Sequence, residues 1–287
     1  MSEETRAAVS APTLDALLAA AGTLPTLPQV VRHILESLND DGADADSLVH
    51  HLNTDPVIVA RLLAAANASA LGLSSQVAST RQAILVLGLE KVRSITLATA
   101  LIAQFSHVRQ GFDCRQLWRH SLGVATCAQV VAARVDCHPE AAFSAGLLHD
   151  IGQLLMVTAA PAASLEVHRR LAQGDASVIV AEHVVFGYDH ALVGSRLADD
   201  WRLPADIIAG IHGHHDPESG DDGEIGDLIH IAEILSHALD LGQPEHSQVP
   251  EVSELAQLRL GIDWPDIATH FPEIEARYEG MRRALGL

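Results

Sequence analysis

The order of apolar and polar residues along the chain indicates helices throughout. No stretch alternates apolar and polar residues with the period of two that a half-buried strand requires. An alanine-rich composition with few aromatic residues favours close packing of helices over a sheet. Apolar residues with helical spacing, bounded by capping residues, predict helices over residues 57–66, 80–87, 91–103, 113–135, 139–157, 178–186, 189–201, 205–212, 227–239 and 267–285.

The predicted fold class is therefore all-α. The pattern divides the chain into four parts: a disordered N-terminus, an N-terminal helical part, a histidine-bearing helical core and C-terminal helices, over residues 1–11, 12–106, 107–243 and 244–287. A chain of 287 residues buries about three quarters of its unfolded surface, so this core needs no disulfide.

Charge and apolar content limit which partners and which cellular compartment are expected for the protein. The formal net charge of −19 repels phosphate backbones, which disfavours a nucleic-acid partner. The longest apolar run, residues 95–105, is too short to cross a bilayer, so no membrane association is expected. Cys114, Cys127 and Cys137 match no zinc spacing, and no signal peptide is recognisable at the start. We expect a reduced, cytoplasmic protein.

Histidine is unusually abundant, with 17 residues against 18 lysines and arginines together. His120 shares one side of its predicted helix with Leu117 and Val124, so it lies on the buried stripe. Taken alone, His120 is compatible with a core histidine bound to a backbone acceptor.

His149 and Asp150 stand in the middle of the 139–157 segment, which is apolar almost all round and therefore indicates a central helix. An unpaired buried carboxylate lowers the stability of the fold by roughly several kcal/mol unless a cation balances its charge. The nearest basic residues, Arg134 and Arg169, lie outside this helix, so a metal ion is favoured over a salt bridge.

Four later residues complete the candidate set. His190 points inward from the start of its helix, where Asp189 is expected to be the N-cap. His214 and His215 follow the next helix, and an exposed helix end is an equally good interpretation of this pair. Glu233 becomes a ligand only if the polar face of its helix turns toward the histidines rather than toward solvent.

Together these residues predict a metal site. Imidazole with carboxylate suits transition metals rather than calcium, and six or seven such groups can hold one or two divalent ions, with iron or manganese favoured. The predicted ligands are His120, His149, Asp150, His190, His214, His215 and Glu233, with Asp150 as the candidate catalytic residue.

The order of these residues resembles the HD superfamily: a histidine, then His-Asp, then further histidines and a carboxylate. The neighbouring segments are similar to signatures of its HDOD branch: Leu-Trp-Arg-His-Ser at 117–121, Gly-Leu-Leu-His-Asp-Ile-Gly at 146–152, Asp-His-Ala-Leu-Val-Gly at 189–194 and Trp-Arg-Leu-Pro at 201–204. The N-terminal half agrees through residues 24–28, 55–56, 62–67 and 83–88, so the resemblance extends over residues 14–240.

The resemblance implies an HD-domain-like helical bundle preceded by an N-terminal helical subdomain, and a bacterial signal-transduction output module. The ligand set is closer to that of the HD-GYP phosphodiesterases, whose two-metal centre opens cyclic di-GMP. The chain departs from those enzymes in three ways. No Gly-Tyr-Pro follows residues 215–217, Gln153 replaces a frequent phosphate-binding lysine, and Glu233 replaces the final aspartate.

Two functions follow as expectations. The first is an HDOD signalling and interaction module with a retained metal site and a signalling protein as its partner. The second is a metal-dependent phosphohydrolase or phosphodiesterase that acts on a nucleotide or cyclic dinucleotide. The sequence alone leaves it open whether the chain is an enzyme.

Overall fold

The computed structural model describes residues 11–23, 27–36, 45–69, 76–105, 112–174, 177–219, 222–242 and 249–287. These residues form α-helices and two 3₁₀ turns but no strand, which confirms the all-α prediction. The helices are α1 (Leu14–Ala19), α2 (Gln29–Glu36), α3 (Ala45–Leu52), α4 (Pro56–Ser69), α5 (Thr80–Leu87), α6 (Leu89–Phe105), α7 (Cys114–Ala132), α8 (Pro139–Leu148), α9 (Ile151–Ala159), α10 (Pro161–Ala172), α11 (Val178–Phe186), α12 (His190–Asp200), α13 (Ala205–Gly213), α14 (Gly223–Ala238), α15 (Glu254–Leu260), α16 (Trp264–Thr269) and α17 (Phe271–Leu285).

Helix ends match the sequence best where capping residues mark them. The Ser79 hydroxyl accepts a hydrogen bond from the backbone N–H of Gln82 and starts α5, as predicted. Gly88, with φ of +81°, ends the same helix in a conformation that residues with a Cβ rarely adopt. Ser177 and Gly187 bound α11 in the same way, at the predicted residues.

Two predicted helices are wrong as single elements. The 139–157 segment is broken at His149 and Asp150 into α8 and α9, and the 267–285 segment is divided by His270 between α16 and α17. Periodicity alone runs through both breaks, because the first segment is apolar almost all round and the second keeps helical spacing across His270, at Ile267, Phe271 and Ile274. Five helices were not predicted, namely α1, α2, α3, α10 and α15.

The histidine-bearing helices pack around α7. Helix α7 lies against α8 and α14, while α13 contacts α8, α12 and α14, and α9 packs on α12. Gly146 permits the close contact between α7 and α8, because a Cβ at this position would lie 2.8 Å from the Cα of Ala125. Small residues thus bring the backbones of α7 and α8 together.

The N-terminal helices form a second layer on this core. Helices α2, α4 and α5 pack on α6, and α17 contacts α4, α6 and α7. One apolar cluster of described residues runs through both layers, from Leu17 to Leu287. Among the described residues, no helix is both long enough and apolar enough to span a bilayer.

Some sequence predictions fall outside the described residues. The predicted disorder of residues 1–11 concerns residues of which only Ala11 is described. Residues 24–26 of the first HDOD motif and residues 243–248, at the predicted boundary between the core and the C-terminal helices, also lie outside the described residues.

Candidate metal centre

Seven residues from five parts of the fold converge on one buried site. They are His120 in α7, His149 and Asp150 between α8 and α9, His190 at the start of α12, His214 and His215 directly after α13, and Glu233 in α14. These are all the residues that the sequence selected as candidate ligands.

The first half of the site is formed by His120, His149 and Glu233. The Nε2 atoms of His120 and His149 lie 3.2 Å apart. Glu233 Oε2 is 3.1 Å from Nε2 of His149 and 3.5 Å from Nε2 of His120. A transition metal takes imidazole nitrogen and carboxylate oxygen together in this kind of environment.

The second half is formed by His190, His214 and His215. One ring nitrogen of each lies within 4.8 Å of the others, a spacing compatible with a shared ion. The Nε2 atoms of His190 and His215 are 3.1 Å apart, and the rings of His214 and His215 have centroids separated by 3.9 Å. The helix ends at Gly213, and His214 and His215 stand in the turn that follows it, where their two rings lie next to each other.

Asp150 lies between the two halves. Its Oδ1 atom is 2.9 Å from Nε2 of His190, and its Oδ2 atom is 3.5 Å from Nε2 of His149 and 3.6 Å from that of His120. The carboxylate occupies the N-cap position of α9 but makes no capping hydrogen bond. Both carboxylate oxygens are therefore free to face the histidines. This position depends on the break between α8 and α9, which the sequence did not show.

Backbone acceptors fix the orientation of two rings. His149 Nδ1 donates to the carbonyl of Gly146, and His214 Nδ1 donates to the carbonyl of Ile211, each at 2.7 Å. With the Nδ1 proton held in this way, Nε2 of each ring carries the lone pair and faces the centre. This is the arrangement in which neutral imidazole binds a metal.

The carboxylates of the centre stay ionised despite their burial. Burial, the largest influence, would raise the pKa of Asp150, but His149, His190 and His120 outweigh it and hold that pKa well below its usual value. Burial would likewise raise the pKa of Glu233, and His120 and His149 again hold it well below the usual range. Both side chains are therefore in the anionic form that a cation requires.

The histidines divide into two kinds. Burial, reinforced by His215, lowers the pKa of His214 well below its usual value, and burial with His190 lowers the pKa of His215 to about 3. Burial would also lower the pKa of His190, but Glu182 and Asp150 reverse this and raise it well above the usual value. His214 and His215 are thus neutral and could bind a metal without losing a proton, whereas His190 would release one.

His214 provides the clearest sign that the residues fit an ion. Its side chain is completely buried, and its Nε2 atom has no hydrogen-bond partner among the described residues. A buried polar atom without a partner is costly, and a metal ion would supply the missing one. Burial also removes two alternatives, because His214 is no exposed helix end and Glu233, 7% exposed, lies on no solvated face.

Two residues near the centre were missed by the sequence analysis. Glu182 of α11 is buried, and its Oε2 atom accepts from Nδ1 of His190 at 2.7 Å and from the His190 backbone N–H at 2.9 Å. His237 lies one turn after Glu233, with its Nε2 atom 3.2 Å from Glu233 Oε1. Glu182 could have been selected from the sequence, because it is the one carboxylate within the apolar segment 178–186. Asp189, in contrast, caps α12 as expected, at 2.8 Å from the N–H of Leu192.

The fold and the site together define an HD-like helical protein with a candidate metal centre. The family model for the HDOD domain matches residues 24–217, more than half of the chain. The chain therefore belongs to the HDOD domain family, as its motifs indicated.

Solved structures agree with this assignment. An HDOD domain protein of unknown function from Geobacter sulfurreducens is 26% identical, with a TM-score of 0.78 over 93% of this chain and 97% of that one. A protein from Shewanella amazonensis SB2B, provisionally named a phosphohydrolase, is 27% identical, with a TM-score of 0.75 over 94% and 98% of the two chains.

Curated relatives are more distant. An uncharacterised protein from Treponema pallidum is 22% identical over 238 residues, which cover 79% of this chain and 44% of that protein. Ribonuclease Y from Lawsonia intracellularis is 24% identical over 169 residues, which cover 59% of this chain and 25% of the enzyme. The chain therefore spans less than half the length of either relative.

Proposed function

We propose that this chain is a bacterial signal-transduction output module of the HDOD type that holds two divalent transition-metal ions. The single observation that carries the proposal is the position of the Asp150 carboxylate, with one oxygen facing His190 and the other facing His120 and His149. A carboxylate that faces two ligand groups is suited to join two ions.

The donors divide between two ions around this carboxylate. His120, His149 and Glu233 would hold one ion, and His190, His214 and His215 would hold the other, with Asp150 shared. The mixture of nitrogen and oxygen donors favours iron or manganese among the transition metals. His237 lies close enough to Glu233 to orient it or to join the first ion.

A signalling role is favoured over efficient catalysis by the replacement of a lysine that HD phosphohydrolases often use to hold phosphate. Gln153 of α9 stands at the position of the phosphate-binding lysine, and Lys91 of α6 is the single lysine of the chain. The acidic surface, with a formal net charge of −19, suits recognition of a protein partner and repels polyanions. We infer a cytoplasmic module whose partner is another signalling protein.

Hydrolysis of a phosphoester is the second candidate, favoured by the same Asp150 geometry. When bound, two ions held by these residues would activate a water molecule and neutralise the leaving oxygen. The chain's own contribution would be the orientation of the ring nitrogens through Gly146, Ile211 and Glu182. A similar solved structure carries a provisional phosphohydrolase name, and a nucleotide or cyclic dinucleotide is the substrate class in question.

Metal content of the purified protein tests the proposal. We expect two equivalents of iron or manganese per chain after expression with added metal, measured by elemental mass spectrometry. Asp150→Ala should retain one equivalent or none, because both ions lose their shared ligand. Asp199→Ala, which removes an exposed carboxylate of α12, is the matched control and should retain both. Absence of metal from the wild-type protein would refute the proposal.

Turnover separates the two candidates. The metal-loaded protein is assayed with cyclic di-GMP and with bis(p-nitrophenyl) phosphate, beside Asp150→Asn. Hydrolysis that disappears in Asp150→Asn would establish the phosphohydrolase. A fully loaded protein without turnover would leave the signalling module as the function of the metal-bound chain.

A further inference from the structure

A row of exposed apolar side chains lies at α15. Val252, Leu255 and Leu258 follow one another at intervals of three residues, which places the two leucines on one side of the helix. Their exposed fractions are 36%, 43% and 77%. Ala256 and Leu260 are buried on the other side, and α15 packs on α14. Single exposed leucines are ordinary, but a regular row indicates a contact surface, and we call these three residues the α15 face.

The surroundings of the α15 face are acidic. Glu251 and Glu254 are exposed, and each directly precedes a member of the row. Arg259 is the one basic residue among residues 249–266. Its guanidinium donates to both carboxylate oxygens of Asp227, each at 2.6 Å, so its charge is already balanced within the chain. The α15 face therefore combines apolar side chains with uncompensated negative charge.

This combination limits what the α15 face can bind. Carboxylates repel the phosphates of nucleic acids and of anionic lipids. A second copy of the chain would bring another surface of the same sign, since the net charge of each copy is −19. An amphipathic helix with apolar residues on one side and lysines or arginines beside them complements both properties.

A ring bridges the start of α15 and the metal centre. The backbone N–H of Ser253, the N-cap residue of α15, donates to Nε2 of His230 at 3.3 Å. Nδ1 of the same ring donates to the carbonyl of His214 at 3.0 Å. One neutral tautomer of His230 satisfies both contacts, because Nδ1 carries the proton and Nε2 the lone pair. The backbone of a candidate metal ligand is thus two hydrogen bonds away from α15.

Two further contacts fasten α15 to the residues that follow His214. The Ser253 hydroxyl donates to Oε1 of Glu218 at 2.6 Å, and the Arg259 guanidinium donates to the carbonyl of Pro217. Both acceptors lie within four residues of His214. A movement of α15 is therefore transmitted to this part of the chain through side chains at both ends of the helix.

We propose that the α15 face docks a basic amphipathic helix of the signalling partner, and that docking changes the metal affinity of the centre through Ser253 and His230. The inference rests on the proposed signalling function and names the chemistry of its partner. A metal at His214 fixes the position of that residue, and with it the contacts that hold Ser253. Coupling between two binding sites is reciprocal, so a helix bound at α15 acts on the metal in turn.

Peptide binding to the full-length protein tests the docking. The probe is a fluorescein-labelled peptide that repeats the sequence Leu-Lys-Lys-Leu-Leu-Lys-Leu, and fluorescence anisotropy at physiological ionic strength gives its dissociation constant. We expect saturable binding. A peptide of the same composition, reordered so that a helix has no apolar side, should bind at least about tenfold more weakly. A peptide with glutamate in place of each lysine should not bind.

Variants locate the surface. Leu255→Ser combined with Leu258→Ser should weaken peptide binding at least about tenfold, because two apolar side chains are no longer buried by the peptide. Leu165→Ser, which changes a 71% exposed leucine of α10, is the matched control and should bind as the wild type does. Glu254→Gln should weaken binding and reduce its dependence on salt, whereas Glu275→Gln on α17 should change neither. All five side chains are exposed, so these substitutions are not expected to alter the fold.

Manganese affinity tests the link to the metal centre. Competition with a fluorescent chelator measures it with and without saturating peptide. We expect a change of at least about fivefold in the dissociation constant of one ion, the lower end of typical coupling between sites. The reordered peptide should leave the affinity unchanged. The anisotropy assay needs no metal, so failure of the α15 face and failure of the metal centre give different results.

Four results would overturn the proposal. The peptide does not bind saturably, or the reordered peptide binds equally well. The combined variant of Leu255 and Leu258 keeps the wild-type affinity. Light scattering shows a dimer in the wild type that this variant loses, which would assign the α15 face to a second copy of the chain. The manganese affinity stays the same at saturating peptide, which would refute the link through His230.

Discussion

At the scale of single residues, the environment of Asp150 decides what the site can do. The sequence showed that His149 and Asp150 are surrounded by apolar residues, and this was enough to predict their burial. It could not show that the carboxylate faces histidines on both sides, since His120 and His190 lie 30 and 40 positions away. Convergence over such separations is a property of helix packing, which a single sequence does not display.

Glu182 carries a prediction of its own. Its carboxylate holds the Nδ1 proton of His190, so Glu182→Gln keeps the shape but removes the charge that makes Nε2 a better donor. We expect an affinity about 10- to 100-fold lower for one of the two ions, since outer partners of metal-bound histidines contribute roughly this much. Competition with a fluorescent chelator measures it.

The matched control for this prediction is Glu275→Gln, which neutralises an exposed carboxylate of α17. It should retain both wild-type affinities. Equal metal affinities in Glu182→Gln and the wild type would show that the contact with His190 has no role in metal binding.

At the scale of elements, the break between α8 and α9 is the feature that periodicity missed. Residues 139–157 are apolar almost all round, and neither proline nor glycine marks the break at His149 and Asp150. Capped helices such as α5 and α11 were predicted well because their end residues act locally. The position of α9 depends instead on its packing against α12, which is a tertiary contact.

Gly152 tests this packing. A Cβ at residue 152 would lie 2.0 Å from the carbonyl oxygen of His190 and 2.7 Å from the backbone nitrogen of Gly194. A change of side-chain rotamer cannot relieve a contact with backbone atoms. Gly152→Ala must therefore move α9 and α12 apart. We expect a loss of roughly 1–3 kcal/mol in the free energy of unfolding, as overpacking typically costs. Metal binding should weaken in parallel.

Gly280 of α17 offers a glycine without such a contact, since nothing lies within 4 Å of the position of its Cβ. Gly280→Ala should stabilise the protein by roughly 0.5–1 kcal/mol, the usual gain from alanine inside a helix. Urea denaturation followed by circular dichroism compares the two variants. Stabilisation by Gly152→Ala as well would contradict the described contact between α9 and α12.

At the scale of the whole molecule, the residues of the candidate centre come from α7 to α14. These helices form the core on which the N-terminal helices pack. The all-α class was predictable because helical spacing recurs along the chain. Several short N-terminal helices were not, because α1, α2 and α3 have at most eight residues each and too few turns to establish a period. The positions of these three helices are set by their packing on the apolar surface of the core, which is a tertiary contact.

Metal binding should therefore stabilise the whole fold. A ligand that binds only the folded state at 100 times its dissociation constant adds about 2.7 kcal/mol. We expect manganese or iron to raise the melting temperature of the chelator-treated protein in differential scanning calorimetry. Asp150→Ala should show a much smaller rise. An identical melting temperature with and without metal would mean that the centre is not coupled to folding.

The claim that Asp150 joins two ions is tested most directly by anomalous X-ray diffraction from crystals grown with manganese. We expect two anomalous peaks, one beside His120, His149 and Glu233 and one beside His190, His214 and His215, with the Asp150 carboxylate between them. A single peak, or none in fully metal-supplemented crystals, would contradict it.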